Sequence, residues 1–207
     1  PKTLPLFAYL LLLRAQPLAR MTLAFTLWPD VGEMEARTNL RRHLYELRRI
    51  LPPAPDDQPW LLTETATVQW NPHAPTWLDV EHFAQASADP TRLAEAAALY
   101  QGDLLTECDE EWIFFERERL RNLFFDDLAK LITQHRARQE YPQAIGYAQQ
   151  LLRHDPLRED ATRELMTLRH AGGDRTGALE EYRRFEQRVR SELGVEPMLE
   201  TKALYDA

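Results

Sequence analysis

Between Thr3 and Ala15 apolar residues recur at Leu6, Tyr9, Leu10 and Leu13, the spacing of a helix buried along one side. Pro17 follows, and proline disfavours a helical conformation in the residue before it, so this helix ends near Gln16. A short second helix is predicted over 21–27, with Thr22 the nearest candidate for its N-cap, and Trp28-Pro29-Asp30 then turns the chain. The third segment carries the sharpest pattern. From about Glu33 to Ile50, after Gly32 and before Pro52-Pro53, the residues Leu40, Leu44, Leu47 and Leu51 fall on one narrow stripe at about 100° per residue. Thr38, Arg41, Arg42, Tyr45 and Arg49 fall on a different, contiguous face. Beyond a Pro/Asp linker at 52–59, Leu61–Thr65 and Thr67–Trp70 are two short β-prone runs that read as a hairpin.

Three helices followed by a hairpin is the winged-helix order, in which the third helix enters a major groove and the hairpin tip approaches a phosphate backbone or minor groove. Guanidinium groups bind phosphate or fork onto guanine O6 and N7, and Thr and Tyr hydroxyls suit backbone or base-edge contacts. Taken alone, an arginine-rich helix face is more often merely solvated; the hairpin beside it shifts the reading towards DNA. The tip, Thr63 to Thr67, contains no Lys or Arg, so a weak contribution is expected from it. Glu46 sits beside the basic face, where it can repel phosphate, order an arginine or read a cytosine amino group.

From Asp79 onward the pattern is almost wholly helical, with helices expected near 79–88, 91–101, 110–139, 141–153, 158–171 and 174–193 and a short one after Pro197. The run Gln139–Ile145 reappears in pattern as Gly173–Leu179, 34 residues later, which is the tetratricopeptide period. Ala144 and Ala178 permit close helix packing, and Asp155-Pro156 closes the first unit. The matching Glu196-Pro197 comes 41 residues after it, which predicts a long last repeat helix. Stacked helix pairs of this kind form a curved surface for proteins or peptides. Trp112, Phe114, Phe115, Phe124 and Phe125 lie on the long helix and are expected in the core, the alternative being a subunit or effector surface.

Composition changes the picture mainly through charge. The net charge of the 207 residues is −8, which looks wrong for a DNA binder until it is divided along the chain. Residues 1–55 carry eight Lys/Arg against four acids, a balance of +4, and leave −12 for the remainder. The basic end is expected to meet nucleic acid and the acidic end protein or solvent. The longest apolar run, Leu4–Leu13, is about half of what a bilayer requires and reads as a buried helix. No targeting segment is seen, and no membrane partner is expected. The single Cys108 suits a reducing compartment and is expected to be an inert core or boundary thiol.

Catalytic chemistry finds no footing. The seven glycines include no phosphate-binding loop or dinucleotide fingerprint, the six histidines are scattered with no pair at i, i+4 spacing, and neither Ser87 nor Ser191 sits in a nucleophile elbow. No enzyme activity, cofactor or metal is expected. The many acid pairs, such as Glu110-Glu111 and Glu180-Glu181, read as solvated helix faces.

Read together, Leu27-Trp28-Pro29-Asp30, Glu35-Ala36-Arg37-Thr38-Asn39-Leu40-Arg41-Arg42 and Leu47-Arg48-Arg49-Ile50-Leu51 resemble the signature of the Streptomyces antibiotic regulatory protein family. Asp79-Val80, Phe83, Leu99-Tyr100-Gln101-Gly102-Asp103-Leu104-Leu105, Trp112 and Glu192-Leu193-Gly194-Val195-Glu196-Pro197 resemble the bacterial transcriptional activator domain that follows the DNA-binding domain in that family. The resemblance implies a mainly α protein. A winged helix-turn-helix domain, three helices plus a β-hairpin over residues 1–78 with the family's N-terminal sheet missing, is followed by a TPR-like α-helical repeat domain over residues 79–207. It further implies a regulator that binds promoter direct repeats in double-stranded DNA and recruits RNA polymerase. Its DNA-binding residues would be Thr38, Asn39, Arg41, Arg42, Tyr45, Arg48 and Arg49. A cytoplasmic, nucleoid-associated bacterial location goes with that role, and a homodimer stays an open option. The competing readings are a protein interaction scaffold whose winged helix no longer binds DNA, and effector sensing through the repeat groove.

Overall fold

The computed structural model describes residues 2–54 and 58–207, so the middle of the 52–59 linker lies outside the described residues. The chain packs as two compact units, one made of residues 1–84 and 99–120, the other of residues 85–98 and 121–207.

The first unit opens with α1 (Thr3–Leu12), β1 (Leu18–Ala19), α2 (Arg20–Leu27) and α3 (Glu33–Ile50), then β2 (Leu61–Thr63) and β3 (Thr67–Trp70). α1 is shorter than its apolar pattern predicts: Leu13 lies past its end and is exposed, because the chain turns through residues 13–16 before Pro17. α2 likewise starts one residue early, at Arg20, with extended Ala19 as N-cap rather than Thr22. That extended residue belongs to β1, the element that periodicity could not reveal. The strand order is β1-β3-β2, all antiparallel, with Leu18 opposite Val68 and Leu61 opposite Trp70. The β2–β3 hairpin is therefore joined edge-on to the start of α2, and Arg20 N–H extends the pairing by donating to Ala66 O at 2.8 Å.

Leu6, Leu10, Leu23, Leu27, Leu40, Leu44 and Leu47 close the core against Val68 and Trp70. Burying each such side chain is worth about 1.5–3 kcal/mol. Trp70 packs against Phe7 and Trp60, each at 5.5 Å between ring centroids, and its indole N–H donates to Thr76 Oγ1 at 3.0 Å. Buried Asn71 closes the strand's end: its N–H donates to Trp60 O, its amide to Pro59 O, and its Oδ1 accepts from His73 N–H. Every polar atom of that side chain that would otherwise be left dry thus has a partner.

Three further helices contribute residues to both units. α4 (Asp79–Ser87) passes from the first to the second at residue 85, and α6 (Glu111–Ala137) does so at residue 121; between them lies α5 (Leu93–Leu99), which contributes to the first only through Leu99. On α6 the apolar row is Ile113, Leu120, Phe124, Leu128 and Leu131, all buried. This corrects the expected aromatic core: Phe124 and Phe125 are buried, but Phe114 and Phe115 are 55% and 64% exposed. Ile113 occupies the inward position, and residues one and two steps on are rotated by about 100° and 200° away from it. Trp112 is half-buried, edge-on to Tyr9 at 4.8 Å.

The second unit ends in α7 (Tyr141–His154), α8 (Glu159–Ala171), α9 (Arg175–Leu193) and α10 (Leu199–Asp206). α7 and α9 begin 34 residues apart, as the repeat requires, and Ala144 and Ala178 are buried at equivalent positions against α8. α9 runs 19 residues against 14 for α7. Asp174 caps it by accepting from Gly177 N–H at 2.8 Å, and Gly194, at φ 68°, ends it in the left-handed conformation that glycine adopts without a Cβ clash. α10 covers the end of the stack through Tyr205, stacked on Tyr182 at 4.2 Å. The architecture is a winged helix-turn-helix and a TPR-like helical repeat domain.

Candidate nucleic-acid interface

α3 separates its two faces as the leucine stripe demands. Leu40, Leu44 and Leu47 are at most 3% exposed, whereas Thr38, Arg41, Arg42, Tyr45, Arg48 and Arg49 are all exposed and Asn39 is half-buried. Glu33 and Glu35 lie in the first turn and Arg48 and Arg49 in the last, an arrangement that the helix dipole favours. The C-terminal end is held by the wing, since Trp60 Nε1 donates to Pro52 O at 2.8 Å. Among the described residues Arg41, Arg48 and Arg49 have no carboxylate within ion-pair distance, and Arg49 lies 5.9 Å over the Tyr45 ring.

The fold adds a cation that spacing along the chain did not suggest. Arg20, at the first turn of α2, has its pKa lowered by burial first and then by the positive charges of Arg41 and Arg48. Its guanidinium also donates to Glu64 O at the hairpin tip, at 3.3 Å, and Arg48 donates to Thr63 Oγ1. The tip has no basic residue of its own, yet two arginines from the helices reach it. A third positive charge crowded against two others is a standing electrostatic cost that an anion would relieve.

Behind this face lies a polar cluster under Arg42. His43 is only 5% exposed, stacks on Trp28 at 5.2 Å, and places Nδ1 2.7 Å from Thr3 Oγ1. The Thr3 hydroxyl donates to Glu46 Oε2 at 3.0 Å, and Arg42 Nη2 approaches His43 Nε2 at 3.3 Å. Of the three roles open to Glu46, its contacts support the ordering of neighbours. Its carboxylate is engaged by Thr3 and His43 and lies 3.9 Å from Arg42 Nε.

A model of the bacterial transcriptional activator domain matches residues 79–207, more than half of the chain. The chain belongs to the bacterial transcriptional activator domain family. No curated protein matches it significantly in sequence. Among solved structures it is similar to Mycobacterium tuberculosis EmbR, determined in complex with a low-affinity phosphopeptide, with a TM-score of 0.65 at 20% identity. The similarity covers all of this chain and 58% of the EmbR chain. At that identity the likeness establishes the fold, and it extends over the winged helix as well as the repeats.

Within the bacterial transcriptional activator domain the motif residues hold loops in place. Tyr100 O–H donates to Asp103 Oδ1 at 2.7 Å, and Arg117 donates to the carbonyls of Leu104, Leu105 and Cys108. Burial, then Glu110, pushes the Cys108 thiol up, so it stays protonated at neutral pH. Glu196, of the Glu-Leu-Gly-Val-Glu-Pro run, pairs with Arg190 at 2.6 Å and Lys202 at 3.4 Å. Among the described residues no His/Cys/Asp/Glu group could hold a metal ion, and no helix is long and apolar enough to cross a membrane.

Proposed function

We propose that this protein is a sequence-specific DNA-binding activator of the Streptomyces antibiotic regulatory type, with residues 1–78 as its DNA-binding domain and residues 79–207 as its activator domain. α3 lies in the major groove. Thr38, Asn39, Arg41, Arg42 and Tyr45 face base edges and nearby phosphates, Arg48 and Arg49 bind phosphate, and Arg20 joins them beside the wing. The repeat domain contacts RNA polymerase, and the protein acts in the cytoplasm at the nucleoid. One observation carries the reading: the guanidinium row on α3 is exposed while its leucines are buried, and Arg41, Arg48 and Arg49 lack carboxylate partners among the described residues.

The test is selection of bound duplexes from random-sequence DNA, followed by titration at several salt concentrations. Binding weakens steeply with salt, by a log–log slope of about −0.9 per phosphate neutralised. Arg41→Ala with Arg42→Ala costs about 1–3 kcal/mol for each base edge no longer read and relaxes the selected sequence. Salt-independent binding, or an unaffected double variant, refutes the proposal in favour of a scaffold whose winged helix no longer engages DNA.

A further inference from the structure

Adjacent residues on a helix do not ordinarily face each other, yet Arg42 lies back over His43, with Nη2 3.3 Å from Nε2. Arginine has donors only, so this approach requires Nε2 to be the ring's acceptor. The ring proton then sits on Nδ1, where Thr3 Oγ1 waits at 2.7 Å, and the Thr3 hydroxyl passes the chain on to Glu46 Oε2 at 3.0 Å. Every link has one donor and one acceptor, and the series has only one consistent direction: Arg42 to His43, His43 to Thr3, Thr3 to Glu46. The ring itself cannot swing, being buried and stacked on Trp28 with 29° between the planes.

We infer that His43 is a positioning residue for Arg42: its buried ring offers a fixed acceptor that orients the exposed guanidinium before DNA arrives. The inference rests on the proposed DNA-binding role of α3. Holding a long side chain in place beforehand removes part of the ordering cost that binding otherwise incurs. The assignment also explains why a histidine stands at a core position of this helix, where an apolar residue would pack as well but could accept nothing.

The acceptor exists only in the neutral ring. Burial, the largest influence, lowers the pKa of His43; Glu46 opposes that shift and Arg42 adds to it. The two groups seen to touch the ring from other elements, Thr3 on α1 and Trp28 after α2, are uncharged. The ring is therefore neutral at pH 7 and gains its proton only below the ordinary value of 6.5. Acidification replaces an acceptor facing Arg42 with a donor of like charge.

The experiment is a double-mutant cycle on the 207-residue chain, read by fluorescence anisotropy on a duplex selected with the wild-type protein. His43→Phe keeps the stack on Trp28 and removes the acceptor; His43→Gln restores an acceptor through its amide oxygen. Expected at pH 7.5 is a loss of about threefold to tenfold for His43→Phe, the cost of ordering one long side chain. His43→Gln recovers much of it, and no further loss occurs when His43→Phe is placed on Arg42→Ala. As the pH is lowered from 7.5, the coupling between positions 42 and 43 weakens as the ring gains its proton, whatever acidification does to overall affinity. Additive losses, or a coupling that does not change with pH, make His43 a packing residue and overturn the inference while leaving DNA binding intact. Failure of the wild-type chain to bind any duplex overturns both together. Thermal melting of each variant separates unfolding from impaired positioning.

Discussion

α3 and α9 carry the same number of arginines on helices of nearly equal length, and they use them in opposite ways. Each has five: Arg37, Arg41, Arg42, Arg48 and Arg49 on 18 residues, and Arg175, Arg183, Arg184, Arg188 and Arg190 on 19. On α9 carboxylates alternate with them turn by turn. Arg184 pairs with Glu180 and Glu181, Arg188 with Glu192, and Arg190 with Glu186 and Glu196. α3 has no acid between Ala36 and Tyr45 and none after Glu46. Arg41 and Arg48 meet another arginine, Arg20, and among the described residues no partner of opposite charge. What distinguishes the two helices is thus where the acids are missing, and on the proposed function that is what fits α3 to DNA.

What the two helices share is the apolar side, and it can be broken equally in both. Leu47 and Phe185 are 0% and 3% exposed at the centres of their stripes. Leu47→Ala is expected to cost about 2–5 kcal/mol and Phe185→Ala about 3–5 kcal/mol, from the transfer energy of the deleted atoms plus the cavity left behind. Urea denaturation measures both. A cost under 1 kcal/mol at either position would mean that the stripe is not what seats that helix.

The charged side is where they differ, and Tyr45 is the position that tests it. The residue is exposed, one turn from both Arg41 and Arg49 and three residues from Arg48. A carboxylate there gives α3 the acid spacing of α9. Tyr45→Glu is expected to weaken duplex binding by about 2 kcal/mol or more, beyond the roughly 1 kcal/mol expected from removing a side chain that meets phosphate or a base, because it also repels phosphate. Tyr45→Gln separates the missing ring from the added charge. Equal losses for Glu and Gln would show that acid placement is not the deciding variable.

The same contrast explains what could be read from the chain beforehand. The ends of α3 were legible because Gly32 and Pro52-Pro53 punctuate it and four leucines keep one phase. The 34-residue repeat was legible because Ala144 and Ala178 recur with it. β1 was not, since two residues carry no period and Leu18 becomes a strand only by pairing with Val68. Phe114 and Phe115 misled because aromatic type was weighed above phase, and the inward position of their turn is taken by Ile113. Arg20 and His43 escaped for another reason. Arg20 stands 21 positions before Arg41, and His43 becomes an acceptor only because Thr3 and Trp28 arrive from other elements. Side chains supplied by one helix were visible in the sequence; those assembled from several were not.

The smallest expected effect is the most discriminating for the other half of the comparison. Arg188 lies 3.7 Å from Glu192, with both side chains about half exposed, so the pair is screened by water and salt. Its removal is expected to change stability by less than about 0.5 kcal/mol, as for exposed i, i+4 pairs generally. It is also expected to leave duplex affinity and the salt slope where they were. Arg49→Ala, with no carboxylate to leave behind among the described residues, is expected to reduce that slope by close to one phosphate's share, about 0.9. The two substitutions delete the same group from helices of the same kind. If Arg188→Ala moved the slope as Arg49→Ala does, a local carboxylate would not be neutralising its arginine, and arginine content alone would mark a DNA-binding helix.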